Sequence, residues 1–156
     1  MKFFFSFILI ISIFNIQEPE VKNQKLVLQA ALNIEEFQEH FNNSPRYVRS
    51  NDRKEVFMLD FPELLNDEIE LTIRDKTIKF ISENEIDEPA RKYFIEVDEF
   101  RLNNKKASIQ LSYQNAKMYH ETKEKLILEV KLNLKNSEDW VIQKYELEKV
   151  STNTSD

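Results

Sequence analysis

Residues 93–113 read YFIEVDEFRLNNKKASIQLSY, and this stretch decides the fold. Tyr93, Ile95 and Val97 share one face of an extended chain, and after Asp98 and Glu99 the apolar phase slips by one residue to Phe100 and Leu102. Side chains alternate along a strand, so a phase slip inside one run is the trace of a β-bulge. Asn103-Asn104 follows, a pair that tolerates left-handed backbone and stands in for glycine in a tight turn. Ala107, Ile109, Leu111 and Tyr113 then point one way, and Ser108, Gln110 and Ser112 the other. One dry face and one wet face predict an antiparallel hairpin.

The same pattern continues downstream. Leu126, Leu128, Val130, Leu132 and Leu134 alternate with Glu129, Lys131 and Asn133, and Asn136 to Asp139 turns the chain into Trp140-Val141-Ile142 and on to Tyr145 and Leu147. Residues 91–150 therefore read as a four-stranded meander. Upstream, Val56-Phe57-Met58-Leu59 is a short continuous apolar run and reads as a buried strand, while Ile69, Leu71 and Ile73 followed by Ile78 and Phe80 predict a second hairpin. Asn33 is placed as an N-cap with Glu36 three residues on, and Leu32 and Phe37 as a hydrophobic staple, which predicts a short helix from Ile34 to Asn42. Leu26-Val27-Leu28 fits either a strand or the lead-in to that helix. The expected fold is α+β, a twisted antiparallel sheet of about six to seven strands with one short N-terminal helix packed on it.

Met1-Lys2 and the apolar run Phe3 to Phe14 have the length of a signal peptide and fall short of the roughly twenty residues a membrane span needs. Cleavage is expected near Gln17, so residues 1–17 are read as leader, 18–23, with Pro19, as a linker, 24–150 as a single domain and 151–156 as a frayed tail. This predicts export to the periplasm or the medium. The small-residue cleavage pattern is missing, and the alternative is an inner-membrane anchor formed by an uncleaved leader.

Composition removes several chemistries. The 156 residues contain no cysteine, so neither disulfides, thiolate metal ligands nor a thiol nucleophile is available. There is no glycine, so no glycine loop cradles a phosphate. The net charge is −6, and acidic and basic residues are interspersed without a basic run, which gives nucleic acid no electrostatic footprint. The membrane is a partner only if the leader stays attached.

The leader, the Val56-Phe57-Met58-Leu59 strand, Thr77-Ile78-Lys79-Phe80-Ile81-Ser82 before an acidic turn, and Tyr93-Phe94-Ile95-Glu96 together resemble small exported proteins of unknown function from Gram-negative bacteria with AT-rich genomes. Lys106 to Tyr113 and Asp139-Trp140-Val141-Ile142 also resemble the closing strands of the nuclear-transport-factor-2 and SnoaL-like superfamily. That resemblance implies a cone-shaped α+β domain whose sheet forms a cup. It covers the C-terminal half, lacks the glycine frequent before the tryptophan, and brings no catalytic residue with it.

Candidate sites follow from the bulge. A bulge re-aims side chains, so Asp98 or Glu99 facing into a cup lined by Tyr113 and Trp140 would form a ligand site, with a desolvated carboxylate suited to acid/base work. An outward acidic pair would instead protect the strand from unwanted pairing. His120 reads as a solvated loop histidine and His40 as half-buried on the helix, and two histidines so far apart give no zinc spacing. Glu83, Glu85, Asp87 and Glu88 lack the alternation and glycine of a calcium loop and read as a solvated turn. No catalytic residue, metal or cofactor is expected. The function expected is an exported non-catalytic binding or accessory domain acting on a protein or small apolar ligand; the alternative is a SnoaL-like cup that binds a small ligand or acts as an acid/base enzyme.

Overall fold

The computed structural model describes residues 18–41, 55–61, 70–86, 93–115 and 117–152. The leader, the cluster at Asn42 to Pro45, and Asp87 and Glu88 lie outside these residues. Seven strands form one sheet: β1 (Glu55–Leu59), β2 (Thr72–Ile73), β3 (Lys76–Ile81), β4 (Phe94–Leu102), β5 (Lys106–Tyr113), β6 (Glu124–Asn136) and β7 (Asp139–Ser151). Their order in space is β2-β3-β1-β4-β5-β6-β7. Among the described residues two helices precede them, α1 (Glu18–Leu32) and the one-turn α2 (Glu35–Gln38), which tightens into a 3-10 turn at Glu39–Phe41.

The meander is as expected. β4 through β7 are antiparallel neighbours, and the register between β4 and β5 shifts between Val97 and Glu99, at the predicted bulge. Asn103 shapes the first hairpin through its side chain, whose Oδ1 accepts the N–H groups of Lys105 and Lys106 at 3.2 and 2.9 Å. Ile95, Val97, Ile109, Leu111, Leu128 and Val130 line the buried face.

Three expectations need correction. The sheet is mixed, because β1 runs parallel to both β3 and β4. Val56, Phe57 and Met58 are all buried, so this strand is covered on both faces, the usual state of a parallel strand. Second, residues 18–23 are helix rather than linker. Pro19 lies within α1 and does not break it. Third, Asn33 does not cap α2. The N-cap position is Ile34, without a side-chain bond, and the Asn33 side chain accepts from Gln29 Nε2 at 2.8 Å.

α1 bridges the two ends of the sheet. Near its start Lys22 meets Glu138 of the β6–β7 turn at 2.5 Å, and Trp140 Nε1 of β7 donates to Asn23 Oδ1 at 3.1 Å. Two turns later Gln29 reaches Thr72 of β2. β2 and β7 are the two ends of the sheet, separated by six strand spacings, an arc of roughly 29 Å. Residues 22 and 29 are only about 10 Å apart along a helix axis. One short helix touches both ends because the sheet curls into a half-barrel and α1 lies in its mouth.

Candidate functional site

The concave side of the half-barrel is where a cup would open, and apolar side chains fill it. Val27, Leu28, Ala31 and Leu32 of α1 are completely buried against the sheet, and Phe37 and Phe41 follow. Phe37 meets Phe41 edge-on with ring centroids 5.2 Å apart, and Phe41 stacks on Tyr113 at 4.2 Å. Two polar bonds lock the helical segment down: Gln38 Nε2 caps the Leu32 carbonyl at 3.0 Å, and Lys76 Nζ of β3 caps the Phe41 carbonyl at 2.6 Å. Burial lowers the pKa of Lys76, against the pull of Asp75 beside it.

The four candidate ligand residues do not converge. Asp98 is the extra residue of the bulge, and its Oδ1 accepts from Ser112 Oγ at 3.1 Å. Ser112 alternates with Leu111 and so belongs to the convex face, and that contact places Asp98 there as well. Lys125 Nζ stands 3.9 Å from the same carboxylate oxygen. Glu99 pairs with Gln110, also on the convex face, and forms an ion pair with Arg101. Tyr113 lies on the opposite, concave face beneath Phe41, where burial pushes its phenol well above the ordinary range. Trp140 shares that face but sits far along it. Tyr113 is opposite Leu126 and Trp140 opposite Leu134, eight residues apart on β6, or roughly 27 Å.

Ser112, Asp98 and Lys125 are a hydroxyl, a carboxylate and an amine in sequence, an arrangement that activates nucleophiles when it faces a substrate. Here Ser112 is only 2% exposed. Its hydroxyl is closed off by its neighbours, and Asp98 supplies the partner that a buried hydroxyl requires.

Two clusters outside the candidate set carry titratable groups. His40 lines a surface cleft of about 210 Å³ with Glu39, Asn115, Met118, Glu124 and Lys149. Burial and, secondarily, Lys149 hold its imidazole below the ordinary value of 6.5, with Glu39 acting in the other direction. The cleft forms because a π-helical turn at Met118–Thr122, ended by Lys123 in the left-handed conformation at φ 53°, bulges out between β5 and β6 beside the 3-10 turn of α2. Sequence reading placed His40 correctly as half-buried but had no means of bringing Lys149 to it. Tyr93, Tyr119 and His120 form the second cluster, with Tyr93 Oη and His120 Nε2 3.1 Å apart and the Tyr119 and His120 rings edge-on at 4.9 Å. Tyr119 and His120 are exposed, and for His120 this is the solvated position read from the sequence.

Among the described residues no group of three or more histidine or carboxylate side chains is placed to hold a metal ion, and no helix is long and apolar enough to cross a membrane. Glu85 of the acidic stretch turns back on the chain: its carboxylate accepts from the Ser82 N–H at 2.9 Å and hydroxyl at 3.1 Å, a capping box for a 3-10 turn. No protein-family model, curated protein or solved structure matches the chain.

Proposed function

We propose that this chain is an exported, non-catalytic binding or accessory domain that meets its partner through its outer surface. The observation that carries the reading is the filled concave face. The volume in which a cup-shaped enzyme would hold substrate is taken by Leu28, Leu32, Phe37 and Phe41, and the carboxylates that would act there, Asp98 and Glu99, lie on the other side of the sheet. Export rests on the leader-like run at Phe3 to Phe14.

The test is native mass spectrometry of protein expressed with its leader in a Gram-negative host and recovered from the periplasm or medium. The expected result is a polypeptide shortened by the leader and free of any stoichiometric small molecule. Asp98→Asn with Glu99→Gln should lower the melting temperature by only a few degrees, since an amide oxygen still accepts from Ser112 Oγ and the ion pairs lost to Lys125 and Arg101 are worth about 0–1 kcal/mol each. A tightly held small molecule that the double replacement releases would contradict the reading. A second reading, a small-ligand binder, is favoured by the cleft at His40, which presents both charge signs around a half-buried imidazole. At about 210 Å³ it is smaller than the roughly 300 Å³ at which ordinary ligand pockets begin.

A further inference from the structure

The two ends of the sheet are treated differently. At β2 the outward backbone groups of Thr72 are occupied by the Gln29 side chain, which donates to its carbonyl and accepts from its N–H at 2.9 and 3.0 Å. At the other end, β7 is thirteen residues long and, among the described residues, has only β6 as a strand neighbour. It carries Val141, Tyr145 and Val150, each exposed by more than a third. Long open edges pair with other strands unless something prevents it.

We propose that the β7 edge is a homodimer contact, in which a second copy of this chain pairs antiparallel with the first about a two-fold axis at Tyr145. Backbone alternation and charge both select that register. The Thr152 N–H turns inward to the Lys123 carbonyl at 2.7 Å, and β6 and β7 pair without interruption from Glu124↔Ser151 to Lys131↔Lys144. Residues 145, 147 and 149 therefore aim their backbone groups outward, ready to meet the same groups of a second edge. A two-fold axis at residue n sets each residue opposite its mirror image about n. At 144, 146, 148 or 149 it would oppose Lys144, Glu146, Glu148 or Lys149 to itself, and at 147 it would oppose Glu146 to Glu148 twice. At Tyr145 it opposes Lys144 to Glu146 twice and no like charges anywhere along the strand. Lys144 and Glu146 already lie on one face, 3.4 Å apart within the strand, and both are mostly exposed. The bulge at Gln143, where β7 has one residue more than β6, interrupts the ladder on the far side of Lys144, and among axes from 144 to 149 the charges leave Tyr145 alone free of like oppositions. The contact is independent of the reading of the concave face.

Sedimentation velocity over a concentration series tests the contact, with circular dichroism as the control for folding. The wild-type chain should show a monomer–dimer equilibrium. Lys144→Glu and Glu146→Lys should each weaken self-association by on the order of tenfold or more, because each replaces two unlike oppositions by two like ones. Mixing the two single variants should restore a dimer, since every opposed pair in the mixed species is again unlike, and the double variant should self-associate like wild type. A wild-type chain that stays monomeric at its highest soluble concentration, single variants that associate as well as wild type, or a mixture that fails to pair would each overturn the proposal.

Discussion

Replacing Gln29 by alanine would remove the group that closes the sheet at β2. The Gln29 amide makes three bonds: Nε2 donates to the Thr72 carbonyl at 2.9 Å and to Asn33 Oδ1 at 2.8 Å, and Oε1 accepts the Thr72 N–H at 3.0 Å. The pair to Thr72 has the donor-and-acceptor pattern that a neighbouring strand would supply. Each such bond contributes about 0.5–1.5 kcal/mol net, and these are solvent-accessible, so the loss belongs near the lower end, about 1–2 kcal/mol in total. Water replaces the missing partners, but the Thr72 N–H then has no protein acceptor. Amide hydrogen exchange should show it speeding up roughly tenfold or more, while the Ile78 N–H, bonded to the Leu71 carbonyl at 2.9 Å, stays protected. Gln29→Glu is the informative control. A carboxylate still accepts from the N–H but cannot donate to the carbonyl, so it should keep most of the Thr72 protection and lose part of the stability. Unchanged Thr72 exchange in Gln29→Ala would refute the placement of α1 across the sheet ends.

Other consequences are open to direct measurement. Leu28 is fully buried between α1 and the sheet, so Leu28→Ala should lower unfolding free energy by about 2–5 kcal/mol in urea titrations; a loss below 1 kcal/mol would mean that α1 is not docked. Lys123 occupies a left-handed position at φ 53° that a Cβ disfavours by roughly 1–2 kcal/mol. Part of this is returned through the greater freedom of an unfolded glycine and part through loss of the Lys123 Nζ bond to the Tyr119 carbonyl at 2.9 Å, so Lys123→Gly should shift stability by no more than about 1 kcal/mol in either direction, and a larger loss would contradict the assigned turn. The folded-state pKa of His40 is depressed below 6.5, so the unfolded chain binds a proton first and stability falls as pH drops through the unfolded value. Chemical denaturation from pH 7.5 to 5 should show a shallower decline in His40→Gln than in wild type, and parallel profiles would exclude burial of the imidazole.

The strands of the meander were legible because each has one wet and one dry face, and a period of two is hard to mistake in runs such as Leu126 to Leu134. The bulge was legible for the same reason, as a slip in that period between Val97 and Phe100. The direction of β1 was not, because burial on both faces erases the alternation and the pattern of Val56 to Leu59 is silent about its neighbours. α1 was missed although its signal is present. Gln24, Val27, Leu28, Ala31 and Leu32 fall at i, i+3, i+4, i+7 and i+8, a complete helical face, but the polar lead-in and Pro19 look like a linker when read residue by residue. The outward turn of Asp98 was one of the two readings open at the bulge, and the Ser112 hydroxyl that meets it there lies fourteen residues away. The cleft at His40 depends on still more distant residues meeting at the end of β7.

Trp140 reports most directly on whether α1 fills the half-barrel, because it is the only tryptophan, is 8% exposed, and donates its indole N–H to Asn23 of α1. Acrylamide quenching of its fluorescence in the folded chain should be several-fold weaker than in the urea-unfolded chain, with emission shifted to shorter wavelength. Replacing Leu28 by Asp to undock α1 should bring quenching close to the unfolded level. Emission and quenching in the folded wild-type chain like those of solvent-exposed tryptophan would show that the concave face is open, contrary to this account.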